Sequence, residues 1–146
     1  MEAQTPPGVI VVGTDGSEHA ERALDWAAHE AELRGASVRI VTAWHVPAMV
    51  YAGGYAPMVV PSVDEAGRQS AEEVAAAAAE KLRGVGLVVE VSVCHAQAAD
   101  ALIEESEGAE LLVVGSRGHG GFTGLLLGSV SQQCAHHAPC PTVIVR

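Results

Sequence analysis

The run LLVVGSRGHGGFTGLLLGS, residues 111–129, decides the fold because it joins a buried strand to a helix through a glycine-rich loop. Its first four residues are continuously apolar, as expected of a strand that is buried on both faces of a parallel sheet. The glycines that follow allow tight turns and a close approach of the backbone to a ligand. Ser129 and Gln132 have the spacing of a capping box, which predicts a helix N-terminus at Ser129.

Strands and helices alternate along the rest of the chain. Apolar and β-branched runs predict strands at Val9–Thr14, Val38–Trp44, Leu87–Cys94, Glu110–Gly115 and Thr142–Val145. Helical periodicity, a second capping box at residues 62–65 and terminal glycines predict helices at 17–34, 62–83, 96–107 and from 129 to just before Pro139. This alternation predicts the α/β class, with one domain over residues 8–146. That domain is a single doubly wound, Rossmann-like sheet of five parallel strands with helices on both faces.

The composition argues against partners that need a basic or strongly apolar surface. The 146 residues are 49% hydrophobic and carry a formal net charge of −10. An acidic chain cannot neutralise nucleic-acid phosphates, and an aromatic content of 3% offers few side chains on which bases could stack. No apolar stretch has the length of a membrane span and no signal sequence is recognisable, so we expect no membrane association and a cytoplasmic location.

The three cysteines do not form a recognisable metal or disulfide pattern. Their number is odd, which does not suggest a disulfide framework in a chain of this size. The spacing in Cys134-Ala-His-His-Ala-Pro-Cys140 fits no zinc motif well, because Cys140 follows a proline while Cys134 lies on a predicted helix. We interpret these residues as small buried thiols.

Open parallel sheets bind ligands beyond the carboxyl ends of their strands, where the strand order reverses. The candidate site is therefore Thr14–Ser17, after the first strand, together with the glycine-rich run after the fourth. The N–H groups at the following helix start would attract an anion, and Gly128 would leave room for a phosphate. Gly115 and Gly118 are expected to form a turn with positive φ that adds N–H donors. A glycine-rich surface loop without a ligand is the alternative.

Two common phosphate-binding motifs do not fit. A P-loop needs a lysine that reaches the terminal phosphates, but the chain's one lysine, Lys81, lies in the middle of a predicted helix. A dinucleotide-binding turn needs the G-x-G-x-x-G spacing, which is absent from Gly13–Ser17.

The spacing Gly115-x2-Gly118-x9-Gly128-Ser129 resembles the motif G-x2-G-x9-G-[ST] of the nucleotide-binding branch of the universal stress protein family. The Asp-Gly-Ser turn after the first strand, the Gly-Ala before the second and the Cys-Pro-Thr-Val-Ile-Val ending extend this resemblance over residues 8–146. It implies a fold of the adenine nucleotide alpha hydrolase type and ATP binding where the first and fourth strands meet. It further implies a stress-response or signalling role and homodimers that pair through the last strand, Thr142–Arg146.

The resemblance also implies roles for individual residues. Asp15 would lie near the ribose and phosphates or bind Mg²⁺, Thr14 would contact the base through its backbone, and Ala43 would lie behind the adenine. The ribose and phosphates would be held by Val114, Gly115, Arg117 and Gly118. The phosphate chain would be received by Gly128, Ser129, Val130 and Ser131. Gly13 and Thr42 depart from the family, which often has proline or valine at the first position and histidine at the second.

The residues around the motif favour binding over catalysis. Residues 111–146 contain no Asp or Glu, so Asp15 is the one obvious carboxylate, and Arg117 is the loop's one cation. Phosphoryl transfer needs several positive groups and a positioned nucleophile, so we expect a binder that is not an enzyme and hydrolyses ATP slowly at most. We interpret His45 and His119 as solvated. The alternatives are a cyclic AMP binder, a non-nucleotide interaction module, and an enzyme such as a nucleotidyl transferase or hydrolase.

The segment 45–62 is uncharged and contains both tyrosines and three prolines. Proline and glycine prevent a regular helix there, which leaves a lid over the nucleotide, a partner-docking surface or a plain connection as interpretations.

Overall fold

The computed structural model describes residues 7–45, 61–119 and 127–146. In chain order the elements are β1 (Val9–Gly13), α1 (Glu18–Arg34), β2 (Ser37–Trp44), α2 (Pro61–Gly84), β3 (Val89–His95), α3 (Ala98–Glu105), β4 (Leu111–Gly115), α4 (Ser129–His137) and β5 (Thr142–Val145). Every predicted strand and helix is present, with bounds that differ by no more than about two residues, the usual uncertainty of such boundaries. Most of the segment 45–62 lies outside the described residues, so its interpretations stay open.

The five strands form one parallel sheet in the order β3-β2-β1-β4-β5. β1 lies at the centre, where Val12 pairs with Ile40 of β2 on one side and Val113 of β4 on the other. The chain first adds strands on the β2 side and then on the β4 side, so the order reverses between β1 and β4. The predicted doubly wound α/β fold is confirmed.

Side chains of the central strands alternate between two apolar layers. Ile10 and Val12 of β1 belong to the layer under α1 and α2, whereas Val11 belongs to the layer under α3 and α4. All three are fully buried. Because both faces of these strands are covered, their sequences read as continuous apolar runs and show no polar alternation.

The turn after β1 is held by the start of α1. Ser17 is the N-cap, and its Oγ accepts a hydrogen bond of 3.2 Å from the Ala20 N–H. The helix ends as predicted at Gly35, which adopts the left-handed conformation with φ of 63°. Both ends of α1 are therefore capped by residues whose chemistry favours those positions.

α4 begins at Ser129 as predicted, but Ser129 is not its N-cap, so the predicted capping box is wrong. The N-cap is Gly128, whose carbonyl accepts the first helical hydrogen bond from the Gln132 N–H at 3.0 Å. The Gln132 side chain donates its Nε2–H to the Leu127 carbonyl at 3.2 Å and does not cap the helix. Ser129 is consequently the first residue inside the helix, and its side chain is exposed.

The three cysteines are free thiols, but the interpretation as buried thiols holds for Cys134 alone, which is fully buried, whereas Cys94 and Cys140 are half-buried. Burial raises the pKa of Cys134 to about 11, as expected of an inert thiol in an apolar setting. Within residues 7–45, 61–119 and 127–146, no cluster of three or more His, Cys, Asp or Glu side chains could hold a metal ion. No helix in these same ranges is long and apolar enough to cross a membrane.

Candidate functional site

A cavity of about 410 Å³ opens at the carboxyl ends of the strands, at the reversal between β1 and β4. The structure brings together there every site residue predicted from the sequence. These are Thr14, Asp15, Ala43, Val114, Gly115, Arg117, Gly118, Gly128, Ser129, Val130 and Ser131. The lining also includes Gly13, Ala20, Val41, Ala98, Leu102 and His119, which the sequence did not single out for this site.

One wall of the cavity is apolar and follows β2 and the start of α3. Val41 and Ala43 contribute from β2, and Ala98 and Leu102 contribute from α3. Gly13 lies close to this wall: a Cβ at that position would lie 2.8 Å from Leu102 Cδ2, and the leucine side chain would have to shift. The glycine that departs from the family pattern thus makes room for Leu102. Such a wall suits a flat apolar group such as a purine ring.

The backbone N–H and C=O groups of Ala43, at the end of β2, point toward β1. The Thr14 N–H donates to the Val41 carbonyl at 3.0 Å, whereas the Trp44 carbonyl accepts from Ala96 beyond β3 at 3.1 Å. Odd-numbered residues at this end of β2 therefore present their N–H and C=O groups toward β1. Since the β1–β2 register ends at the pair of Gly13 and Val41, the Ala43 groups lie beyond the last ladder partner. They are available to a planar polar ligand, whereas the Thr14 N–H is already bonded.

The start of α4 contributes another part of the lining. The first N–H groups of a helix have no acceptor inside it, and the N-cap Gly128 provides no side-chain acceptor. Ser129, Val130 and Ser131 carry these groups, and all three residues line the cavity. Together with the helix dipole, they form an anion-binding arrangement of the kind that receives phosphate. Arg117 lines the same cavity and adds a positive charge to it.

Asp15 connects the β1–α1 turn to the loop after β4. Its Oδ1 accepts the Ser17 N–H at 2.9 Å, and its Oδ2 accepts the His119 N–H at 3.1 Å. Burial by itself would raise the pKa of the Asp15 carboxyl, but hydrogen bonds from Ser17 and His119 outweigh it and hold that pKa below its usual value. Asp15 is therefore ionised at neutral pH. One carboxylate beside phosphates is the minimal protein contribution to a Mg²⁺ site, and Asp15 fits that role.

His119 is more than a solvated loop residue, which corrects the interpretation from sequence. Its ring is exposed, yet Nε2 lies 2.9 Å from the Asp15 backbone carbonyl, so that nitrogen carries the proton and donates it. With the backbone bond to Oδ2, His119 fastens the loop to the β1–α1 turn by two hydrogen bonds. No local sequence signal predicts this contact, because it joins residues that are far apart in the chain.

The expectation of positive φ at Gly115 and Gly118 is wrong, since neither residue adopts it. Close approach is what requires glycine at both positions. A Cβ at Gly118 would lie 2.6 Å from Asp15 Oδ2, and a Cβ at Gly115 would lie 2.9 Å from the His19 carbonyl carbon. Gly115 thus allows the end of β4 to pack closely against the first turn of α1, and Gly118 allows the following loop to approach the β1–α1 connection. Positive φ occurs instead at Gly16, within that connection.

Open parallel sheets whose reversal point carries a cavity lined by apolar side chains and a helix start are α/β domains of the kind that binds small ligands. A sequence model of the universal stress protein family matches residues 8–146. The chain belongs to the universal stress protein family.

Relatives of two lengths match the chain. A universal stress protein of Mycolicibacterium smegmatis is 36% identical over 141 residues, which are 93% of this chain and 47% of that protein. One from Thermus aquaticus is 34% identical over 140 residues, 94% of this chain and 97% of that protein. The chain therefore spans about half the length of the mycobacterial relatives that it matches. A crystal structure of a universal stress protein in complex with cAMP is 27% identical, with a TM-score of 0.71 over 97% of this chain and 99% of that one.

Proposed function

We propose that this chain binds an adenine nucleotide in the cavity at the β1–β4 reversal and acts in a stress response or in signalling. The base would lie against the apolar wall, where Ala43 offers backbone hydrogen-bonding groups. The phosphate would lie at the start of α4. The observation that carries the proposal is the α4 start itself, where the cavity is lined by three residues whose N–H groups have no helical acceptors. The similar protein whose crystal structure contains cAMP supports the choice of an adenine nucleotide.

ATP is our first candidate for the ligand, and cyclic AMP is the second. The intact glycine motif favours ATP, because Arg117 and the loop would lie beside a longer phosphate chain. The Asp15 carboxylate would repel the negative charge of the ATP phosphates. We therefore expect ATP to bind together with Mg²⁺, held between Asp15 and the phosphates, because the cation lowers that repulsion. Cyclic AMP is favoured by the complex of the similar protein and needs no cation, since it carries a single negative charge.

We propose further that the protein is a binder and not an enzyme. Among the described residues that line the cavity, Asp15 is the one carboxylate. A carboxyl whose pKa is held below its usual value is a weak base, so it is poorly suited to activate water. A cytoplasmic location stays a prediction from the sequence.

The direct test is to denature the freshly purified protein and identify the released small molecule by mass spectrometry. We expect ATP, bound because the cavity offers a place to both the base and the phosphates. The ligand-free protein, refolded or dialysed, is then titrated calorimetrically with ATP in the presence and absence of Mg²⁺ and with cyclic AMP. Incubation with saturating ATP, followed by the same mass analysis, reports any ADP formed.

Each outcome separates the alternatives. If cyclic AMP is released, or binds more tightly than Mg·ATP, the cavity remains the proposed binding site and cyclic AMP becomes the proposed ligand. ADP forming at a turnover on the order of 1 s⁻¹ would make the protein an enzyme. Failure of both nucleotides to bind in the titrations would favour a non-nucleotide interaction module.

We also propose that the chain forms a homodimer through β5 and Arg146. Within the described residues β5 pairs only with β4, which leaves its outer edge able to pair with another strand. Its apolar side chains are only half-buried, so pairing would cover them. Light scattering after size-exclusion chromatography is expected to give twice the chain mass of 15.0 kDa. A monomer mass at micromolar concentration would contradict the proposal.

A further inference from the structure

We propose that Ser131 is a positioning residue whose hydroxyl latches the start of α4 to the end of β4. The latch would keep the anion-binding N–H groups of α4 in place before a ligand arrives. The role of the latch in binding rests on the proposed function, but the latch itself is a property of the protein alone. The resemblance implied that Ser131 helps to receive the phosphate chain, and this assignment leaves that contact to its backbone N–H and not to its hydroxyl.

The hydroxyl of Ser131 already has two acceptors. Its Oγ donates to the Gly128 carbonyl at 2.9 Å and to the Ser116 carbonyl at 3.1 Å. A hydroxyl has one hydrogen, which these two carbonyl oxygens share. Phosphate oxygens of a nucleotide at neutral pH accept hydrogen bonds, so the Ser131 hydroxyl could bind them only by breaking the latch. Ser131 is 2% exposed, which leaves a ligand little access to that atom.

Ser116 is a suitable anchor because it is fixed from several sides. Its N–H donates to the Val145 carbonyl of β5 at 2.7 Å, and its carbonyl accepts the Gly128 N–H at 2.7 Å as well as the Ser131 hydroxyl. Its own hydroxyl lies 3.5 Å from His19 Nδ1 on α1. Ser116 is 4% exposed. The residue whose carbonyl holds α4 is therefore itself tied to β5 through its N–H, and its hydroxyl lies near α1.

Ser129 has the opposite environment, only two residues away on the same helical turn. It is exposed and lines the cavity, and its hydroxyl makes no hydrogen bond within the described part of the chain. Its hydroxyl can therefore donate to a phosphate oxygen. The two serines would therefore have different roles. Ser129 would contact the ligand, whereas Ser131 would orient the backbone N–H groups at the start of α4 that contact the ligand.

The test compares Ser131→Ala with Ser129→Ala in ligand-free protein by amide hydrogen exchange. In Ser131→Ala we expect the Gly128 N–H to exchange at least about tenfold faster, because the helix start opens locally once one of its hydrogen bonds is lost. Exchange in β1 and β4 should stay unchanged. Ser129→Ala is expected to exchange like the natural chain. A Ser131→Thr variant retains the hydroxyl and should recover most of the protection.

The same variants are then titrated with AMP and adenosine as probes. Both serine-to-alanine changes should weaken AMP binding by about tenfold and leave adenosine within about twofold, since adenosine lacks the phosphate. The latch would be overturned if the Gly128 N–H exchanged in Ser131→Ala at the same rate as in the natural chain. It would also be overturned if the substitution accelerated exchange equally throughout the protein. Equally fast exchange in the alanine and threonine variants would also overturn it. If the natural chain binds neither these probes nor ATP or cyclic AMP, the proposed function fails, and the exchange comparison still decides the latch.

Discussion

A Gly115→Ala variant is expected to unfold about 1–3 kcal/mol more readily than the natural chain, the usual cost of a methyl group forced into packed structure. The added Cβ would lie 2.9 Å from both the carbonyl carbon and the carbonyl oxygen of His19, and 3.1 Å from its Cβ. The nearest atoms belong to the backbone, so no side-chain rotation relieves the contact. Either α1 or the end of β4 has to move.

Neither element can move easily. α1 packs on the sheet through Ala20, Ala23 and Leu24, of which the last two are fully buried. On the other side, Gly115 is in register with Val145 and is followed directly by the anchored Ser116. A shift at Gly115 would also displace the latch of α4, so nucleotide affinity should fall together with stability.

Urea denaturation measures the loss in the free energy of unfolding as a lower midpoint concentration of urea, with an unchanged dependence of that free energy on urea. Gly84→Ala is the matched control, because a Cβ at that position would meet nothing within 4 Å. Alanine restricts the unfolded chain equally at both positions, so the difference between the two variants isolates the contact with His19. A Gly115→Ala variant within about 0.5 kcal/mol of the control would show that α1 adjusts without cost.

The fold was predictable because its signals are local. Central parallel strands such as β1 and β4 read as continuous apolar runs, and Ser17 and Gly35 mark the ends of α1 by residue type alone. The location of the cavity followed from topology, since the loops after β1 and β4 meet where the strand order reverses. The predicted lining residues followed from that meeting and from the glycine motif.

The side-chain details were not predictable, because they depend on partners that are distant in sequence. The hydrogen bonds between His119 and Asp15 join two loops, and no pattern near either residue encodes them. Glycine at position 118 is explained by the nearby Asp15 oxygen, although its sequence context suggested a positive φ. The N-cap of α4 is Gly128 and not Ser129, and the Gly128 N–H is held by the carbonyl of Ser116, which is distant in sequence. The residue type at a position shows which side chains fit there. The contacts that cause this restriction come from residues that are distant in sequence.

A Gly128→Ala variant is expected to keep the fold and lose nucleotide binding, in contrast to Gly115→Ala. A Cβ at Gly128 would lie 3.4 Å from the Ser116 carbonyl oxygen and 3.5 Å from Arg117 Cα, which are ordinary contact distances. The backbone at Gly128 has φ of −76° and ψ of 168°, which alanine adopts without strain. Alanine is a poorer N-cap than glycine but loses less entropy on folding, so the net change in stability should stay below about 1 kcal/mol.

The effect on binding should be large, because Gly128 lines the cavity directly before the N–H groups of Ser129 and Val130. A methyl group there would occupy the space through which a phosphate oxygen approaches those groups. A phosphate oxygen that accepts such a hydrogen bond lies about 2.9 Å from the backbone nitrogen. If a methyl group displaces that oxygen, most of the hydrogen bond is lost. We expect the affinity for AMP, cyclic AMP and ATP to fall at least about tenfold, the equivalent of one or more lost charge-assisted hydrogen bonds.

Calorimetric titration of Gly128→Ala, the Gly84→Ala control and the natural chain with AMP and adenosine measures this loss. Adenosine should bind all three alike, because the apolar wall and Ala43 are unchanged. Natural affinity for AMP in Gly128→Ala would place the phosphate elsewhere and remove the argument for the α4 start. A parallel loss of adenosine binding would instead mean that the substitution distorts the cavity as a whole. Only the selective loss of the phosphate-bearing ligand supports the proposed orientation, because stability and base binding serve as internal references in the same protein.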